Sequence, residues 1–193
     1  KRLIKNFRLQ IKHLDFIKSS RELSRYEKYI TADKKIILFQ TRCFLREDQD
    51  DVVNIHTQRY HIIKLLKYNF PNNFLGGFIP SKIVNEKYAD ALSNVPSEPE
   101  LYLDALKSSK IVIYTRGLAN SPAWKMAEYL SQGKVIIAEQ LTAELPVPLE
   151  HRKEVLFFDN DEELLNNIKE VLHNDDLCNT LSKNARMYFE KHV

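Results

Sequence analysis

The stretch from Ile111 to Glu139 constrains the fold more than any other part of the chain. Ile-Val-Ile-Tyr at 111–114 is a short β-branched run, the composition of a strand buried on both faces. A polar turn with Gly117 and Asn120 follows. Ser121 suits an N-cap, and Pro122 suits the first helical position, where its missing N–H would have no partner in any case. The spacing predicts a helix to about Gln132, closed by Gly133 in the left-handed conformation, and a second buried strand over 134–138. Strand, loop, helix and strand make one βαβ unit, whose right-handed crossover commits the chain to a parallel sheet.

The remaining segments extend the alternation. Strands are expected over 36–39, 74–79 and 155–158. A helix is expected over 51–68, with Val52, Ile55, Ile62, Ile63 and Leu66 inward, and a short one from Ser81 to about Leu92. Ser97-Glu98-Pro99-Glu100 reads as a capping box opening a helix to Ser108. Asp159 and Glu162 read as another before two closing helices, 160–173 and 175–191, divided at Asn174-Asp175. Gly76-Gly77 inside a strand marks the close approach of another backbone or a ligand. The pattern predicts a doubly wound α/β domain over 35–193. Residues 1–34 are expected to form an N-terminal helical segment, in which Leu3, Phe7, Ile11, Leu14 and Ile17 would make one apolar stripe.

Composition narrows the class. At 44% hydrophobic and 28% charged residues, the 193-residue chain matches a globular domain with a sizeable core. No apolar run is long enough to span a membrane, and no signal-peptide pattern is present. Two cysteines, Cys43 and Cys178, make no disulfide framework, which predicts a reducing, cytoplasmic setting. The chain opens on Lys1 without an initiator Met, so a fragment is expected. Residues 1–30 carry nine Lys/Arg against Asp15, Glu22 and Glu27, a net +6 that leaves −3 for the rest. Such an arm suits an anionic membrane surface, although a solvated helix face is the plainer reading. No nucleic-acid partner is expected.

Chemistry is expected at the strand carboxyl ends, where open parallel sheets bind ligands. The loop 115–121 and the helix after it present N–H groups that favour an anion, with Arg116 and Lys125 adding charge. Arg42 follows the first strand, with Arg46 four residues on. Trp124 and Lys125 share a helix face with Glu128, whose carboxylate can accept from sugar hydroxyls. A surface Lys125–Glu128 pair and a core Trp124 are the plainer alternatives. His56 and His61 are five apart, not the four that puts two ligands on one face, and read as structural or solvent-facing. Asp48-Gln49-Asp50 matches a metal-binding D-x-D pattern but reads as first-turn acids of the following helix. No metal site is predicted, and without G-x-G-x-x-G no dinucleotide cofactor is expected.

Three segments together, 108–118 (Ser-Ser-Lys-Ile-Val-Ile-Tyr-Thr-Arg-Gly-Leu), 124–134 (Trp-Lys-Met-Ala-Glu-Tyr-Leu-Ser-Gln-Gly-Lys) and 144–151 (Glu-Leu-Pro-Val-Pro-Leu-Glu-His), carry a family resemblance. Over 35–193 the chain resembles the carboxy-terminal, nucleotide-sugar-binding half of a GT-B glycosyltransferase, of the group 1 and CgeB-like branch. The resemblance implies a Rossmann-like half of a GT-B fold that binds a nucleotide-diphosphate sugar, with UDP or GDP as carrier, for transfer of a hexosyl group without a metal. It makes Glu128 the second glutamate of a Glu-x7-Glu motif, on the ribose; the first would fall at Asn120, a departure from the pattern. Arg42 and Arg46 correspond to the phosphate-binding pair, and Leu141-Thr142 replaces the glycine-rich diphosphate loop. Ser121 and Thr142 complete the expected nucleotide-sugar contacts. The acceptor site and catalytic base would lie in a partner N-terminal GT-B domain, so the chain alone would bind donor without efficient transfer. The rivals are a nucleotide-sugar epimerase-like enzyme and a non-enzymatic α/β module that docks a partner through residues 1–30.

Overall fold

A computed structural model describes residues 25–26, 28, 32, 34–44, 49–141 and 145–193. The apolar stripe at 3–17 lies outside them, as do Arg46, Asp48 and Thr142. Five strands, β1 (Ile37–Thr41), β2 (Phe74–Phe78), β3 (Ile111–Tyr114), β4 (Val135–Glu139) and β5 (Val155–Phe158), form one sheet in the order β2-β1-β3-β4-β5. Every pairing is parallel. The helices are α1 (Asp50–Asn69), α2 (Lys82–Lys87), α3 (Pro99–Ser108), α4 (Lys125–Ser131), α5 (Asp161–His173) and α6 (Asp175–His192).

Alternate strand residues feed two cores. Ile37, Phe39, Ile111, Ile113, Val135 and Ile137 face α1 and α5, packing against Ile62, Ile63, Leu66, Leu164 and Ile168. Leu38, Val112, Tyr114, Ile136 and Ala138 face α3, α4 and α6, packing against Leu106, Leu130 and Ala185. Helices on both faces make the sheet doubly wound, as the alternation predicted. The chain leaves β1 toward β2 and returns across β1 to reach β3, so the topological switch point lies between β1 and β3.

Several local expectations are corrected. The helix expected from Ser81 to Leu92 is α2, with Ser81 accepting from the Val84 N–H, followed by a separate 3₁₀ turn at Ala89–Ala91. The Ser97–Glu100 capping box does not form: Glu98 holds the N-cap without a side-chain bond, and Pro99 opens α3. Asn160, not Asp159, caps α5; it accepts from the Glu163 N–H, and Glu163 reaches back to the Asp159 N–H. The glycine pair in β2 marks a backbone approach. Gly76 has φ +130° and Gly77 +131°, and a Cβ would lie 2.1 Å from the Phe39 carbonyl oxygen at the first and 2.5 Å from that of Ala91 at the second.

The helix after β3 starts three residues late. Ser121 closes a 3₁₀ turn, Leu118–Asn120, and α4 begins only at Lys125. The reason lies in two bonds. The Ser121 carbonyl, which a helix capped there would offer to Lys125, instead accepts from the Gly117 N–H at 2.9 Å. The Ala123 N–H donates to the Tyr114 hydroxyl at 2.7 Å. Gly133 takes the expected left-handed conformation, with φ +50°. Cys43 and Cys178 are buried and form no disulfide.

Candidate functional site

A cleft of about 460 Å³ opens at the carboxyl ends of β1 and β3, at the switch point. Its volume falls in the range of about 300–1,000 Å³ typical of small-molecule sites. Among the described residues, the charged ones that line it are Arg42, Arg59, Lys125 and Glu128, three cations against one carboxylate.

Each wall has a local cause. The Gln40 side chain donates to the carbonyls of Val95 (2.6 Å) and Pro96 (3.1 Å), which fastens the segment before α3 to the end of β1. Lys125, at the start of α4, donates from Nζ to the Gln40 carbonyl (2.7 Å) and the Tyr102 hydroxyl (2.9 Å), so its charge is held across the cleft rather than swinging free in solvent. Glu128 follows in the first turn of α4, half-buried, with Oε2 shielded from solvent. Trp124 stands at the mouth, 89% exposed, which removes the core reading of that residue. It also borders a second, more apolar cavity lined by Met126, Leu130, Leu141, Leu145 and Tyr188.

Of the other expected site residues, Arg42 lies on the rim with its side chain exposed, and Ser121 lines the cleft without capping the helix. Arg116 does not line it. Its guanidinium pairs with Asp51 at 2.8 Å and lies 3.9 Å from Glu139, while its N–H donates to Glu139 at 2.9 Å. The Ala119 N–H donates to Asp51, and these bonds hold the Asp51 carboxyl below its usual range. The loop expected to offer its N–H groups to an anion therefore spends those of Arg116, Gly117, Ala119 and Ser121 on protein acceptors. Asn120, in the left-handed region at φ +58°, lies outside the cleft lining. Arg46 and Thr142 fall outside the described residues. Among the described residues, no group of three or more His, Cys, Asp or Glu side chains is placed to hold a metal ion. His56 is buried and accepts from the Phe44 N–H, and His61 pairs with Asp161 on the surface.

Sequence reasoning missed Arg59. It is 5% exposed and reaches from α1 to the cleft floor. Its guanidinium donates to the Arg42 carbonyl (2.9 Å), the Arg116 carbonyl (3.0 Å) and Thr115 Oγ1 (3.4 Å), bridging the ends of β1 and β3. Burial pulls its pKa down to about 10, which leaves it charged at neutral pH. The signal was present: Arg59 is four residues from Ile55 and three from Ile62, an arginine inside the apolar stripe of α1.

Open doubly wound sheets bind ligands in the crevice at their switch point, and comparisons with known proteins place the chain in a family. The family model described as "Glycosyl transferase-like" matches residues 59–193, so the chain belongs to the glycosyl transferase-like family. No curated protein matches the chain. Among solved structures, the C-terminal domain of the glycosyl transferase group 1 family protein LpcC from Francisella tularensis is similar at a TM-score of 0.52 and 12% identity, over 84% of this chain and 87% of that one. TarM is similar at a TM-score of 0.54 and 15% identity, over 86% of this chain but 34% of TarM. A mutant of S. aureus TarM in complex with fondaparinux, alpha-GlcNAc-glycerol and UDP is similar at a TM-score of 0.56 and 14% identity, again over 86% of this chain and 34% of that one. The chain thus spans about a third of TarM's length. At these identities the likeness is one of fold: a Rossmann-like α/β domain shared with glycosyltransferases.

Proposed function

We propose that the chain is the donor-binding domain of a glycosyltransferase and that the cleft between β1 and β3 takes a nucleotide-diphosphate sugar. The observation that carries this reading is the convergence of Arg42, Lys125 and Glu128 on one cleft at the switch point, in a chain of this family. The cations suit a diphosphate, and in transfer they would stabilise the departing nucleotide as its charge develops. The Glu128 carboxylate suits the ribose hydroxyls. No step of this reading calls on a metal ion: the charge is met by side chains. Acceptor and catalytic base belong to a second domain in this reading, and the chain by itself binds donor without transferring it. The structure of a TarM mutant with UDP supports a uridine nucleotide as the first ligand to try.

Calorimetric titration with UDP and GDP tests the reading. Saturable binding of one of them, weakened about tenfold or more in Arg42→Ala and Glu128→Ala by loss of charge-assisted bonds, is the expected result. No binding at millimolar nucleotide refutes it. Epimerisation of a UDP-sugar without any acceptor would move the assignment to an epimerase.

A further inference from the structure

We infer that Arg59 is the fixed counter-charge of an anion site on the cleft floor and contacts the diphosphate of the bound nucleotide. The identity of that ligand rests on the donor-binding reading above; the anion site itself does not.

A guanidinium has five N–H donors. Arg59 directs Nε to Thr115, one N–H of Nη1 to the Arg42 carbonyl and one of Nη2 to the Arg116 carbonyl. Each terminal nitrogen keeps a second N–H, and the group lines the cleft. Its charge is almost wholly out of water, with the Phe44 ring centroid 5.3 Å from Cζ. Among the described residues no carboxylate forms an ion pair with it: its hydrogen bonds go to neutral oxygens, and Glu139 acts on it only through space. Buried charges are costly and are ordinarily paired. The brace between the two strand ends uses three of the five N–H groups, and the described residues pair no carboxylate with the charge, so the two that remain are donors for an anion in the cleft that the group lines. The cleft is the direction from which one can come. Its other cations differ in kind: Lys125 is held on the wall by Gln40 and Tyr102, and Arg42 is exposed at the rim. A floor, a wall and a rim cation around one cavity match a ligand that carries two linked phosphates better than one with a single charge. Because the guanidinium straddles the switch point, an anion bound there also bears on the spacing of the loops that follow β1 and β3.

The test titrates the whole chain with inorganic pyrophosphate, UDP and uridine, the last followed by NMR. Wild-type protein binds pyrophosphate, and Arg59→Lys and Arg59→Gln weaken pyrophosphate and UDP about tenfold or more while uridine is unaffected. UDP affinity within about twofold of wild type in both variants overturns the inference, as does a parallel loss for UDP and uridine, which a purely structural role would give. Should the variants fail to fold, arginine-labelled wild-type protein carries the test. A saturable shift of the Arg59 Nε–H resonance on adding pyrophosphate supports the contact, and binding of pyrophosphate without that shift refutes it. Pyrophosphate binding without UDP binding upholds the anion site and sinks the donor reading; binding of neither sinks both.

Discussion

Lys134 offers a prediction whose sign and size follow from its surroundings. It enters β4 at 1% exposure and donates from Nζ to the carbonyls of Lys107 (2.9 Å) and Ser109 (2.7 Å), at the carboxyl end of α3. Burial, aided by the like charges of Lys107 and Lys110, pulls its pKa from 10.5 to about 8. The native value thus lies below the unfolded one. Below pH 8 both states hold the proton; between pH 8 and 10.5 the unfolded chain keeps a proton the native protein has released, so stability rises with pH across that window. From pH 7 to pH 10 the gain is about 2–3 kcal/mol, since a pKa unit is worth somewhat over 1 kcal/mol. The Lys134→Met variant keeps the apolar stem and removes the charge. At neutral pH it sheds the desolvation cost but leaves two carbonyls without a donor, each worth about 1–3 kcal/mol, so it stays within about 2 kcal/mol of wild type. At pH 10 the neutral amine of the wild type still donates to both carbonyls, and the wild type gains on the variant by the full amount. Urea unfolding followed by circular dichroism at pH 7, 8, 9 and 10 measures this, since every other titrating group is common to both proteins. Parallel stability curves across that range would refute the reasoning.

Three further outcomes follow from the geometry. Gly76→Ala puts a Cβ against the Phe39 carbonyl in a backbone conformation that only glycine takes readily, so a loss of about 3 kcal/mol or failure to fold is expected in urea titration; a loss below about 1 kcal/mol would contradict it. Arg116→Ala leaves UDP affinity within about twofold, because the side chain serves Asp51 and Glu139 rather than the cleft; a tenfold loss by calorimetry would return Arg116 to the site. Tyr114→Phe removes the acceptor of the Ala123 N–H and costs about 1 kcal/mol by thermal unfolding, and with the segment before α4 loosened, nucleotide binding weakens as well; an unchanged melting temperature would count against that role.

The strands and their layering were legible because each is a compact apolar run, and alternate residues had to find two cores. The lag at α4 was not. Ser-Pro reads as a helix start from local chemistry alone, and only tertiary bonds, Tyr114 to Ala123 and Gly117 to Ser121, override it. Arg116 was misplaced for a similar reason. Its sequence position beside a strand end is right, but its partners come from α1 and from the end of β4, which no spacing reveals. Lys125 and Glu128 were legible as a pair because a helix puts them on one face, and α4 does begin there.

The charges around the switch point fall into two sets. Acidic Asp51 and Glu139 neutralise Arg116 and fasten the loop after β3, so that loop is finished structure. Among the described residues, Glu128 is the one carboxylate that lines the cleft with Arg42, Arg59 and Lys125. At the cleft, Lys125 and Arg59 are held in place by carbonyl and hydroxyl oxygens, and in the proposed reading this fixes their charge before any ligand arrives. If the donor-binding reading holds, such preorganisation puts the cost of charge burial into the fold, and binding and transition-state stabilisation draw on the same fixed groups.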